Sequence, residues 1–83
     1  MVMKYHYAMV MWYSPDDEAY LVEVPELPGC MADGATPEEA AQAAQTAIRL
    51  WIEGARQMGR AVPRPARTRA AALKLLVATA TKV

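Results

Sequence analysis

A small α+β domain is predicted, with an antiparallel sheet packed by one long helix and a short helical tail behind it. Three observations carry this expectation. Residues 4–13 are rich in aromatic and β-branched side chains, which suit a strand. Residues 14–34 alternate short apolar stretches with turn clusters that hold Pro, Asp and Gly, the punctuation of hairpin-linked strands. Residues 36–58 open on a helix cap and then repeat apolar residues at helical spacing.

Eighty-three residues amount to one domain at most. A chain of this size buries roughly 60% of the surface its unfolded form exposes, so it gains from self-association, and a dimer or tetramer is expected. A hydrophobic content of 54% argues against disorder. There is no Phe, so Trp12, Trp51 and four tyrosines supply the bulk of the core. Cys30 is the single cysteine, which excludes an internal disulfide. With His6 as the single histidine, the chain also lacks the three or four ligands of an ordinary zinc site. No signal-peptide pattern surrounds Lys4, and no apolar run nears the ~20 residues of a membrane span. A cytoplasmic protein without membrane contact is expected.

The net charge of zero conceals a division. Residues 1–48 hold one base and eight acids, a net −7, while residues 49–83 hold eight bases and one acid, a net +7. Two readings stand side by side: each half meets an oppositely charged partner, or folding brings the two signs together.

In the first strand, alternation places Tyr5, Tyr7, Met9, Met11 and Tyr13 on one face and His6, Ala8, Val10 and Trp12 on the other. Neither face is polar, so both are expected to be covered, one by the helix and one by another subunit. His6 has no partner at a recognisable spacing and reads as a strand-face residue. Ser14-Pro15-Asp16-Asp17-Glu18 forms the hairpin turn; its acids lack the loop pattern of a calcium site. Ala19–Val24 is the second strand, with Tyr20, Val22 and Val24 on one face, and Pro25 ends it. Glu26 to Gly29 turns the chain into a third short strand over Cys30–Gly34.

Thr36-Pro37-Glu38-Glu39 starts the helix: threonine at the N-cap, proline at N1, and Glu39 at N3 to complete a capping box. The helix is predicted to run to about Met58, with Gly59 as its stop. Its core stripe is Ala40, Ala44, Ala47, Ile48, Trp51, Ala55 and Met58. Leu50 and Ile52 lie off that stripe and are the candidates for self-association. Residues 61–65 are extended, because Pro63 and Pro65 exclude helix for their predecessors; a short edge strand or a polyproline segment fits. From Arg67 to about Thr79 a terminal helix is expected, with Ala70, Leu73, Leu76 and Val77 on one side. Residues 1–65 thus form the domain and 66–83 a basic helical tail.

This pattern resembles the HicB-type antitoxin family of bacterial toxin–antitoxin systems. The resemblance is carried by Tyr5 and Tyr7, by Ala19-Tyr-Leu-Val-Glu-Val-Pro-Glu-Leu-Pro-Gly-Cys30, and by Asp33-Gly-Ala-Thr-Pro-Glu-Glu-Ala40. Ala47-Ile48, Trp51 and Val62-Pro-Arg-Pro65 continue it. It implies a β-β-β-α-β domain with a three- to four-stranded sheet, similar to a truncated ribonuclease H fold. It also implies a HicA-type partner, a small basic toxin that cleaves messenger RNA and is blocked by occlusion. The acidic first half suits such a partner electrostatically. Eighteen residues follow Pro65, too few for a complete three-element DNA-binding module of the kind that family members carry. Operon repression is accordingly not expected.

Ribonuclease H chemistry needs carboxylates converging on two metal ions, one of them from the middle of the first strand. Residues 4–13 contain no Asp or Glu, which leaves Glu23 without a companion. Cys30 and His6 match no nucleophile–base spacing, and no Gly-rich phosphate loop is present. No catalytic residue, cofactor or metal is therefore expected. The candidate toxin contacts are Tyr20, Glu23, Glu26, Leu27 and Asp33. The alternative reading is a nucleic-acid-binding or transcription-regulating oligomer that uses Arg67, Arg69 and Lys74 of the basic half.

Overall fold

The computed structural model describes residues 5–80, and for 76–80 the backbone alone. Three strands, β1 (Val10–Ser14), β2 (Ala19–Glu23) and β3 (Met31–Gly34), precede a long helix α1 (Pro37–Gln57) and a short helix α2 (Arg69–Ala80). The sheet order is β1-β2-β3 with both pairings antiparallel. The fold is α+β. Leu76 and Val77, placed on the apolar side of the terminal helix by the sequence, have side chains outside the described residues, as does Lys4.

Helix α1 lies across β3 and β2 and leaves β1 uncovered. Val22 packs against Ala40 and Ala44, while Val24 and Leu27 join Ile48, Ile52, Cys30 and Tyr7 in a second cluster. Leu27, Ile48, Val22 and Val24 are the largest fully buried side chains, each worth about 1.5–3 kcal/mol of transfer free energy. Alanines at 40 and 44 bring the start of α1 close to the sheet. Gly34 completes that approach, since a Cβ there would sit 2.4 Å from the Ala40 nitrogen.

The helix cap forms with one change of partner. Thr36 Oγ1 accepts from the Glu39 amide at 3.1 Å, but Glu39 Oε2 accepts from the Ala35 amide rather than from that of Thr36. At the other end Gly59 has φ +68°, its amide donates to the Arg56 carbonyl and that of Arg60 to Ala55. This is the Schellman arrangement that a glycine stop predicts. The core line of α1 runs Ala40, Ala44, Ile48, Ile52 and Ala55. Two expectations are corrected by it. Ile52 is 6% exposed and belongs to the core, while Met58, the C-cap residue beyond Ala55, is 67% exposed.

The first strand is shorter than expected. Residues 5–9 are irregular because their backbone groups bond to side chains and not to a neighbouring strand. Gln45 exchanges two hydrogen bonds with the backbone of Tyr5, at 2.9 and 3.0 Å. The Ala8 amide donates to Glu26 Oε1 at 2.7 Å. Tyr7 is buried and donates its hydroxyl to the Pro63 carbonyl. Residues 61–66 form no strand, so among the described residues the sheet keeps three. Within the single chain Met11, Trp12 and Tyr13 of β1 are 38%, 40% and 50% exposed.

Candidate protein-interaction surface

The corner between β2 and β3 is built from two successive turns. The Leu27 amide donates to the Val24 carbonyl, and the Cys30 amide to the Leu27 carbonyl. In the second turn Pro28 presets φ and Gly29 takes φ +82°, the type II combination. A bond from the Val24 amide to the Cys30 carbonyl closes the loop at 3.0 Å. Leu27, shared by both turns, is driven wholly into the core, and Trp51 Nε1 from α1 donates to the Pro28 carbonyl.

Glu26 is the one buried charged residue described. Its two oxygens are both occupied: Oε1 accepts from the Ala8 amide at 2.7 Å and Oε2 from the Ala66 amide at 2.6 Å. It clamps the segment before β1 to the segment after α1. Beside it, burial and the Glu26 charge raise the pKa of the Tyr7 phenol above its ordinary value. Burial likewise raises that of the Cys30 thiol. Within the single chain Glu26 is thus 7% exposed and Leu27 wholly buried.

The remaining candidates divide between the sheet faces. Tyr20 is half-buried on the α1 side, packed against the Val22 cluster, with its ring edge-on to Tyr13 at 5.1 Å. Glu23 and Asp33 lie on the opposite, open face. Directly paired residues share a face, so the pairs Val10–Glu23, Trp12–Leu21, Leu21–Asp33 and Glu23–Met31 assemble one surface. Trp12, Leu21 and Met31 are its apolar part; Glu23 and Asp33 are its charges, and the three strands contribute no cation. Periodicity alone assigned Glu23 and Leu21 to one side of β2. What it missed was the pairing register that sets Trp12 and Met31 beside them.

Elsewhere, Leu50 is 56% exposed on the outer side of α1, in an open groove of about 210 Å³ with Trp51 and Met58. Arg67, Arg69 and Lys74 are exposed near the start of α2. Among the described residues the one ion pair is Arg49–Glu53, within α1. Among the described residues no ion pair joins the acidic half to the basic half. Asp16, Asp17 and Glu18 at the hairpin tip share an end of the molecule with Glu38 and Glu39. Arg56 lies in the last turn of α1, about 27 Å along the axis from Glu38, so each sign sits at the complementary pole of the helix. No group of three or more His, Cys, Asp or Glu among the described residues is placed to hold a metal ion. No described helix is long and apolar enough to cross a membrane.

A three-stranded sheet with one apolar, anionic face left open by its single covering helix defines a small binding domain. Residues 7–75 match the family described as HicB_like antitoxin of bacterial toxin-antitoxin system, and the chain belongs to that family. It is also 41% identical over 49 residues to the UPF0150 protein Ta0767 of Thermoplasma acidophilum, a stretch covering 59% of this chain and 71% of the relative. No solved structure matches the chain.

Proposed function

We propose that this chain neutralises a HicA-type, mRNA-cleaving toxin by occlusion, without chemistry of its own, in the cytoplasm where that toxin meets its substrate. The observation that carries this reading is the open sheet face, where Trp12, Leu21 and Met31 are bordered by Glu23 and Asp33 and the three strands contribute no cation. Such a face suits a basic partner: apolar anchors supply the desolvated centre and carboxylates at the border steer encounter. Tyr20 supports the face from behind through Val22 and Tyr13. We read the three strands and α1 as the truncated ribonuclease H-like unit that the family resemblance implies.

Co-expression with any small basic protein encoded in an adjacent reading frame tests the reading. Copurification is expected, together with loss of the neighbour's ribonuclease activity. Glu23→Lys with Asp33→Lys is expected to weaken the complex by at least about tenfold while leaving the thermal melt unchanged. Undiminished ribonuclease activity in the presence of excess folded protein rejects it.

Self-association is proposed alongside. β1 is an edge strand without a charged residue, and its Met11, Trp12 and Tyr13 are exposed, so a second copy can extend the sheet there. Exposed Leu50 on α1 is the other candidate contact. A dimer or tetramer is expected in sedimentation at micromolar concentration; a monomer contradicts it.

A further inference from the structure

We infer that the segment between α1 and α2, together with His6, forms a track for the phosphate backbone of a nucleic acid. Arg64, Arg67 and His6 line an open cleft of about 510 Å³ with Pro65 and Ala66. Arg64 and Ala66 also line a second, mainly apolar cavity of about 540 Å³, which Lys74 borders together with Pro63, Ala71 and Leu75. Arg64 is therefore common to both hollows, with Arg67 lining the first and Lys74 the second.

Among the residues that line the two hollows the one acid is Glu26, in the second. Both of its oxygens already accept backbone amides, from Ala8 and Ala66, so its carboxylate is committed inward. Arg64, Arg67, Arg69 and Lys74 make no ion pair among the described residues. Pro63 and Pro65 stiffen the segment that presents them, and Glu26 ties its end to the body of the domain. The cations are thus held in a row instead of trailing on a loose tail.

A row of three or four cations across two hollows fits a ligand with several phosphates in series better than a single small anion. The guanidinium groups of Arg64 and Arg67 suit phosphate oxygens by their fork geometry. No base-reading element accompanies them, so the contact is with the backbone and is independent of sequence. This surface shares no residue with the open sheet face, and the inference does not depend on toxin binding.

Fluorescence anisotropy of the full chain with labelled single-stranded RNA, single-stranded DNA and duplex DNA tests it. Three or four phosphate contacts predict a slope of log K against log salt of about −2 to −3 on a single strand. That is a loss of about 20- to 60-fold between about 50 and about 200 mM salt. Arg64→Glu with Arg67→Glu is expected to weaken binding more than about tenfold and to flatten the slope. Arg49→Gln, which removes one positive charge from the outer side of α1, is expected to leave it unchanged. Absent binding at low salt overturns the inference, as does equal loss in the Arg49 variant. Displacement by millimolar inorganic phosphate at constant ionic strength also overturns it, by assigning the cleft to a small phosphate ligand.

Discussion

Glu26 and Ala66 lie forty residues apart and are joined by a 2.6 Å hydrogen bond from the Ala66 amide to Oε2. Because Oε1 simultaneously holds the Ala8 amide, one buried carboxylate ties three stretches of chain. Glu26→Ala leaves two amides without their acceptors, and hydrogen bonds to a charged group are worth about 1.5–3 kcal/mol each. A loss of about 2–4 kcal/mol in urea unfolding is expected. Glu26→Gln keeps one acceptor but faces an NH₂ to the other amide, so a smaller loss of about 1–2 kcal/mol should follow. Equal stability of wild type and the Ala variant would refute the clamp.

Gly34 and Gly54 make a matched pair. Alanine at 34 would press its Cβ into the backbone of Glu39 and Ala40, at 2.4–2.8 Å, and a backbone cannot swing aside. Gly34→Ala is expected to cost about 2–3 kcal/mol. A Cβ at Gly54, inside α1, meets nothing within 4 Å, so Gly54→Ala should stabilise by about 0.5–1 kcal/mol. Thermal melts of the two variants should move in opposite directions.

Glu18 closes the β1–β2 hairpin with φ 50°, the one positive-φ residue described that is not glycine. That conformation costs an L-residue about 1 kcal/mol. Glu18→Asn, which tolerates it better, is expected to raise stability by about 0.5 kcal/mol, read as a shift of the urea midpoint at constant slope.

Burial and its neighbours set the alkaline limit. The folded pKa values of Tyr7 and Cys30 are both raised, so the folded state retains these protons at a pH where the unfolded chain has released them. Their contribution is complete below the ordinary thiol and phenol values and is lost as pH rises through the raised ones. The urea midpoint should hold through neutral pH and fall in the alkaline range, with Tyr7→Phe flattening the upper part of that fall. Cys30 in the folded protein should also react with iodoacetamide more than about tenfold more slowly than in urea, since the thiolate is the nucleophile.

The local signals were legible where one residue type dictates one geometry. Thr36, Pro37 and Gly59 delimit α1, and Pro28-Gly29 specify the turn that closes on Cys30. The open face was half legible, because alternation pairs Glu23 with Leu21 but says nothing of their neighbours on β1 and β3. Contacts across long separations were not legible. Nothing in the sequence around Tyr5 shows that Gln45 will occupy its backbone groups, and so β1 begins five residues later. Glu26 looked like a surface acid for the same reason: the amides it serves belong to residues 8 and 66. Its setting between Pro25 and Leu27, in a corner too tight to stay solvated, was the available hint.

The clamp at Glu26 also fixes when the molecule can be finished during its synthesis. Tyr7 waits for the Pro63 carbonyl, 56 positions later, and Glu26 for the Ala66 amide. Both groups leave the ribosome long before their partners. The sheet hairpins and α1 can form as they emerge, but the first segment stays unfastened until residue 66 has cleared the exit tunnel. A chain interrupted before that point would carry the open sheet face on an unlatched scaffold, so the latch closes only once residue 66 has been made.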